Sequence, residues 1–158
     1  MTVAAITGHR PERVSNWQFV ETQLKHAFHD LKINRIIVGM AEGVDIFAAE
    51  VAHDMNIPYW AYRPWHTHGD GSLRYEAILR RAHYVKEIRP DDKYPGPWVY
   101  HERNRAMVDD ANIVIAVWDG YKSGGTYQTV LYANSIAVPV VWINPKEGTV
   151  ETITTPIV

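Results

Sequence analysis

Four short clusters in this chain hold residue types from which an anion site is built. The clearest is "DGYKSGGTYQT", where Asp119 is followed by Gly124–Gly125–Thr126 at the start of an amphipathic segment. Paired glycines at a helix start let backbone N–H groups converge on a negative charge, with the positive end of the helix behind them. The Thr126 hydroxyl adds a donor. No lysine follows, so this is not a Walker A loop, and the spacing is not G-x-G-x-x-G. Taken alone the pattern is weak, because turns use glycine routinely.

The other three clusters add charge. In "TGHRPER", Gly8 permits a tight exit from an apolar run, and His9 and Arg10 follow it. The planar fork of Arg10 matches a phosphate or carboxylate; the plainer alternative is a solvated loop charge, with Pro11 setting the turn. In "GMAEGVD", Gly39 and Gly43 allow a backbone to approach a ligand, and Glu42 and Asp45 stand at a helix entrance. Helix capping explains one such carboxylate, at roughly 1 kcal/mol, but not two around a Gly–Val step. A carboxylate there can also grip ribose hydroxyls. In "HERNRAM", Arg103 and Asn104 stand near a helix start, either reaching a crevice or forming a solvated face.

Weaker candidates follow. "HTHGD" sets His66, His68 and Asp70 at metal-like spacing but without a third ligand on a regular element, so no metal is expected. No G-x-S-x-G elbow is present. Trp60, Trp65, Tyr94 and Trp98 fall in or beside loops, where they can stack on a nucleobase or pack between subunits. With 6 Trp and 9 Tyr against 3 Phe, the chain favours rings with polar tips, which suit pocket walls and interfaces as well as a small core.

These clusters punctuate an alternation of apolar runs and amphipathic segments. Val3–Thr7, Arg35–Gly39, Ile57–Tyr62, Tyr84–Ile88, Ala111–Trp118 and Val138–Ile143 read as strands. Ser15 and Gln18 form a capping-box pattern ahead of Trp17, Val20, Leu24, Phe28 and Leu31, spaced as a buried helical stripe. Val44, Phe47, Ala48, Val51 and Met55 trace a second helix; Ser72–His83, Val99–Asp110 and a segment from Gly124 or Thr126 to about Ile136 supply three more. The tail beyond Asn144 reads as an edge extension or an interface segment. Near-continuous apolar strands alternating with helices predict a doubly wound α/β domain with a mainly parallel sheet, spanning 1–158 as one unit. Ligands in such sheets bind beyond the carboxyl ends of the strands, where all four clusters fall.

The bulk properties narrow the function classes. A net charge of −2 disfavours wholesale nucleic-acid or membrane-surface binding. With no cysteine, thiolate zinc sites, disulfides and cysteine nucleophiles are excluded, which is compatible with the cytoplasm. No signal-peptide pattern opens the sequence, and no apolar run approaches the ~18 residues of a membrane span.

In combination, "TGHRP", "GMAEGVDIFAAE", "RNRAMVDDANIVIAVWDG" and "SGGTYQTVLYA" resemble the SLOG superfamily. This is the Rossmann-like group named for Smf/DprA and LONELY GUY proteins, and the chain is most similar to its YpsA-like branch. The resemblance covers nearly the whole chain. It implies a nucleotide or nucleotide-derived ligand over the strand ends, its phosphate at Gly124–Thr126. No separate cofactor and a homo-oligomer are expected. "GMAEGVD" is similar to the glycine-rich loop of DprA, which binds single-stranded DNA. "RNRAM" is similar to the arginine motif of the LONELY GUY enzymes, which release a base from a nucleoside monophosphate, and Arg103 takes the place of their catalytic arginine. Those enzymes carry a glutamate where this chain has Thr129. N-glycosidase chemistry here would therefore draw its carboxylate from Glu42 or Asp45, so the resemblance favours a binding or sensing role over cleavage.

Overall fold

Val3 to Gly8 (β1) is buried along nearly its whole length, as an apolar strand must be when both sheet faces are covered. In the computed structural model, which describes residues 1–154, the chain continues through α1 (Trp17–Asp30), β2 (Arg35–Val38), α2 (Val44–Asp54) and β3 (Tyr59–Trp65). Then follow α3 (Leu73–Arg81), β4 (Tyr84–Arg89), α4 (Trp98–Asp109), β5 (Ile113–Val117), α5 (Gly125–Ser135), β6 (Val140–Asn144) and β7 (Thr149–Ile153). The strands form one sheet in the order β4-β3-β2-β1-β5-β6-β7. Every pairing is parallel except β6 with β7. Of the segment beyond Asn144, Thr149–Ile153 is thus an antiparallel edge extension, and residues 155–158 lie outside the described part.

Strand periodicity divides the core between the two faces. Ala4 and Ile6 of β1 point to the side of α1, α2 and α3, where they join Val20, Leu24, Phe28, Val44 and Ile78. Val3 and Ala5 point to α4 and α5, joining Met107, Val108, Val130 and Ala133. In α2, the small residues Ala48, Ala49 and Ala52 are fully buried, so the helix lies close on the sheet.

Local details depart from the sequence reading in two places. The cap of α1 is Asn16, whose side chain accepts from the Phe19 N–H at 3.1 Å, rather than Ser15; an amide oxygen one residue later reaches the same orphan donors. Strand β3 continues past Tyr62 to Trp65, because β4 offers it a partner as far as Arg89. Leu73, an apolar residue at the start of α3, is 89% exposed, and Tyr75 and Ile78 turn inward instead.

The strand order places the functional loops. The chain adds β2, β3 and β4 on one side of β1, then returns to place β5 on the other side. The direction of winding therefore reverses between β1 and β5, and a crevice opens above their carboxyl ends. Its walls are the loops after β1, β2, β3 and β5 together with α4.

Candidate nucleotide-binding crevice

The crevice encloses about 780 Å³, within the range of small-molecule sites. Eleven of the thirteen residues singled out in the sequence line it: Gly8, His9, Arg10, Glu42, Gly43, Asp45, Arg103, Asn104, Gly124, Gly125 and Thr126. Gly39 and Asp119 do not, and the packing explains both.

At the β5–α5 corner, Gly124 has φ 93° and ψ −179°, a conformation essentially reserved for glycine. A Cβ added to it would meet nothing within 4 Å, and one on Gly125 only the Asn104 amide at 3.9 Å. The first intrahelical bond of α5 runs from the Gln128 N–H to the Gly124 carbonyl. The N–H groups of Gly125, Thr126 and Tyr127 have no acceptor among the described residues. Open space, free amides and the positive helix end coincide at this corner, and that combination suits an anion. Within α5 the Thr129 hydroxyl donates to the Gly125 carbonyl at 2.8 Å, so it stiffens the corner and supplies no acid or base.

The loop after β1 divides its labour. His9 is buried, and burial pushes its pKa down, with Asp119 pulling up and Arg13 again down. The ring is neutral and accepts the Asp119 N–H on Nε2 at 3.0 Å, which ties the β1 exit to the β5 exit. Asp119 is engaged on the protein side of that joint. Its carboxylate accepts from Arg13 at 2.6 Å and from the Tyr121 N–H at 2.9 Å. Burial alone would raise Asp119, but the Tyr121 N–H, His9 and Arg13 hold it below the ordinary carboxylate range. Asp119 therefore shapes the loop and stays out of the crevice. Arg10 is exposed on the crevice wall, with no hydrogen bond or ion pair to its guanidinium among the described residues.

The loop after β2 also departs from expectation. A Cβ on Gly39 would press on the Arg103 guanidinium at 2.9 Å, and one on Gly43 on the His9 carbonyl oxygen at 2.6 Å. These glycines admit neighbouring parts of the protein rather than a ligand backbone. Gly43 has φ 104° and begins α2, whose Val44 N–H is taken by the His9 carbonyl. Glu42 is exposed at the mouth, and Asp45 is buried on the floor. Asp45 accepts the Ala41 N–H at 3.2 Å. Burial pushes it up to about 6, against the pull of Arg103 and of the N–H groups around Ala41 and Gly39.

Arg103 is 6% exposed. It lies mid-helix on the stripe Val99–Arg103–Met107, one residue every four, facing the sheet. Nη1 donates to the Gly39 carbonyl, and Nε to the neighbouring Asn104 side chain at 2.8 Å. It is not in direct ion-pair contact with Asp45; the two buried charges stand apart, both lining the crevice. The sequence reading puts Arg103 near the helix start, whereas it lies mid-helix; its spacing of four from Val99 and Met107 is the signal that could have placed it inside.

Of the far wall, sequence reasoning singled out Trp65 and His68 and missed Tyr75 and Tyr100. His68, Tyr75, Tyr100 and Trp65 line it. Trp65 meets His68 edge-on at 4.8 Å between centroids, Tyr94 at 5.3 Å and Tyr100 at 5.9 Å. Of the aromatics marked in the sequence, Trp60 instead packs on Tyr84 and beneath Arg35, and Trp98 lies under Arg89. The "HTHGD" side chains are engaged separately: His66 with Glu87 at 2.6 Å, His68 with Tyr75, and Asp70 with the Ser72 N–H. No signal in the sequence shows that a strand extended to Trp65 would carry His68 to this wall.

A profile of the YspA SLOG family matches residues 5–138. The chain belongs to that family. UPF0398 protein YpsA of Bacillus subtilis (strain 168) is 25% identical over 146 residues, covering 78% of this chain and 79% of that protein. Among solved structures, DNA processing protein A of Helicobacter pylori, described for its single-stranded DNA binding mode, superposes with a TM-score of 0.68. The identity is 20%, with 89% of this chain and 64% of that one covered. DNA processing protein A of Streptococcus pneumoniae gives a TM-score of 0.74 at 17% identity, covering 94% of this chain and 53% of that one. The chain thus spans less than two thirds of the length of either DprA, and these likenesses establish a shared Rossmann-like fold. Among the described residues, no helix is long and apolar enough to cross a membrane.

Proposed function

We propose that the crevice binds a nucleotide or nucleotide-derived small molecule, in a sensor or regulatory role. The observation that carries this reading is the open Gly124–Gly125–Thr126 corner, with unmatched amides, in the same crevice as the uncommitted Arg10 guanidinium. Two independent donors of positive potential, at the strand reversal, suit a phosphate. The buried pair Asp45 and Arg103, held apart on the floor, suits a ligand hydroxyl that bridges a carboxylate and a guanidinium. We read the protein as a homo-oligomer in this role, to be checked by light scattering.

A second reading is N-glycosidase action on a nucleoside monophosphate. The observation favouring it is Asp45, a buried carboxyl raised to about 6, which is where a general acid or base near neutral pH belongs. Exposed Glu42 is the other available carboxylate, and Arg103 would orient the sugar phosphate. Against it stands Thr129, whose hydroxyl is committed to the Gly125 carbonyl. Binding of single-stranded DNA, as described for DprA of Helicobacter pylori, ranks third, because the net charge of −2 does not make a basic groove.

The test is calorimetric titration with a panel of nucleoside monophosphates, with chromatography of the same mixtures for free base. Saturable binding without base release supports the sensor. Base release that disappears in Glu42→Gln or Asp45→Asn establishes the enzyme. No binding to any monophosphate, with retention of an oligonucleotide that weakens as salt rises, would transfer the site to DNA.

A further inference from the structure

The far wall contains a hydrogen-bond chain whose direction can be worked out. The Tyr75 hydroxyl lies 2.7 Å from the His68 carbonyl oxygen. A carbonyl cannot donate, so the proton in that contact belongs to the tyrosine. The same hydroxyl receives the Arg63 Nε–H at 3.3 Å and faces His68 Nδ1 at 2.9 Å. With its single proton spent on the carbonyl, it can only accept from Nδ1. His68 therefore carries its proton on Nδ1, which leaves Nε2 a bare lone pair.

Two further observations give that lone pair a use. Nε2 has no partner among the described residues, although the ring lines the crevice beside Trp65 and Tyr100. Protonation of Nε2 is suppressed: burial, then the charges of Arg103, Arg63 and Arg10, push His68 down to about 4, with Asp70 opposing. Along the sheet, β3 is three strand spacings from β5, or ~14 Å. A mononucleotide with its phosphate at the β5–α5 corner would bring its base towards this wall.

We propose that His68 is a specificity-determining residue whose Nε2 accepts a hydrogen bond from the exocyclic amino group of the ligand's base. The inference rests on the nucleotide reading given above. Tyr75 and Arg63 act as positioning residues, because they hold the tautomer that makes Nε2 an acceptor. A base with a carbonyl oxygen in place of the amine would set two acceptors against each other and leave both unpaired, which costs about tenfold or more in affinity.

The test compares pairs of ligands identical in sugar and phosphate: AMP with IMP, and CMP with UMP. The expected result is ~10-fold tighter binding of the amino member in at least one pair. His68→Phe keeps a ring against Trp65 and is expected to abolish that preference while the keto member still binds. Tyr75→Phe is the second variant, since it frees the tautomer without altering His68. It is expected to shrink the preference by strengthening the keto member, an effect a purely structural loss would not produce. Nitrogen-15 NMR of the wild-type imidazole should show Nε2 unprotonated from pH 6 to 8. Equal affinities within both pairs, a preference unchanged in His68→Phe, or a protonated Nε2 overturns the inference and leaves nucleotide binding standing. Failure of all four ligands to bind overturns both.

Discussion

Arg103 on α4 donates from Nη1 to the carbonyl oxygen of Gly39, 64 residues earlier at the end of β2. Gly39 has no side chain because a Cβ there would press on that guanidinium. The pair joins the helix on one side of the sheet to the loop that carries Glu42 and Asp45, and so sets the depth of the crevice floor. Arg103→Met, which keeps much of the volume, is expected to destabilise the protein by ~2–4 kcal/mol in urea unfolding. The buried Gly39 carbonyl loses its donor, and Asp45 loses the positive charge that offsets its burial.

Combining Arg103→Met with Asp45→Asn should cost less than the sum of the single effects. The two groups feel one another across the floor, and an uncharged amide no longer needs the guanidinium. Additivity within ~0.5 kcal/mol in the double-mutant cycle would show that they do not interact.

Asp45 also predicts a pH dependence of stability. Its folded pKa of about 6 lies above the ordinary value of 3.8, so the folded state holds the proton more tightly than the unfolded chain does. This group's contribution to stability is full below pH ~4 and is lost as pH rises through 6, at ~3 kcal/mol in total. Asp45→Asn removes that loss. Thermal unfolding should show the variant gaining in Tm at pH 8 relative to wild type, and gaining much less at pH 4. An equal shift at both pH values would contradict the assignment.

Two glycines with positive φ should behave differently. Gly43→Ala forces a Cβ onto the His9 carbonyl oxygen at 2.6 Å as well as an unfavourable φ of 104°. It is expected to cost more than 3 kcal/mol and to loosen the β1 and β2 loops together. Gly124→Ala meets open space and bears only the backbone strain, ~1–3 kcal/mol. Chemical denaturation of the two variants should separate them, with Gly124→Ala folded and defective in nucleotide binding.

Among the described residues the Arg10 guanidinium has no hydrogen bond or ion pair that folding depends on. Arg10→Ala should leave Tm within about a degree of wild type and weaken a nucleoside monophosphate by ~10-fold, a typical loss for a charge-assisted hydrogen bond. The corresponding nucleoside, which has no phosphate, should show no difference between the two proteins. Calorimetry with both ligands measures this directly.

Much of the architecture was legible in the chain itself. The apolar runs of β1 and β5 and the periodic stripes of α1 and α2 were sufficient for the fold, because patterns of two and of about four residues reflect which faces lose water. The Gly124–Gly125–Thr126 corner was legible too, since a loop after a strand needs glycine in that backbone conformation. The partners of charged residues were less visible. Asp119 and Arg10 look equivalent in sequence, yet one is held by Arg13 and His9 and the other is uncommitted. Gly39 and Gly43 look alike as ligand-contacting glycines, yet Gly39 makes room for the Arg103 side chain of α4 and Gly43, on the crevice wall, for the His9 carbonyl.

By itself the sequence determined the order of strands and helices, the carboxyl-edge loops and the residues from which a phosphate corner can be built. These follow from local conformational preference and hydrophobic period, which act over a few residues. Only the tertiary structure decided which carboxylate is buried, which arginine is uncommitted, and which groups surround the His68 ring. Each depends on desolvation and on charged or hydrogen-bonding groups from other parts of the chain: Arg103 across the floor from Asp45, Arg13 on Asp119, Tyr75 and Arg63 around His68. Local sequence does not specify those neighbours, and folding supplies them.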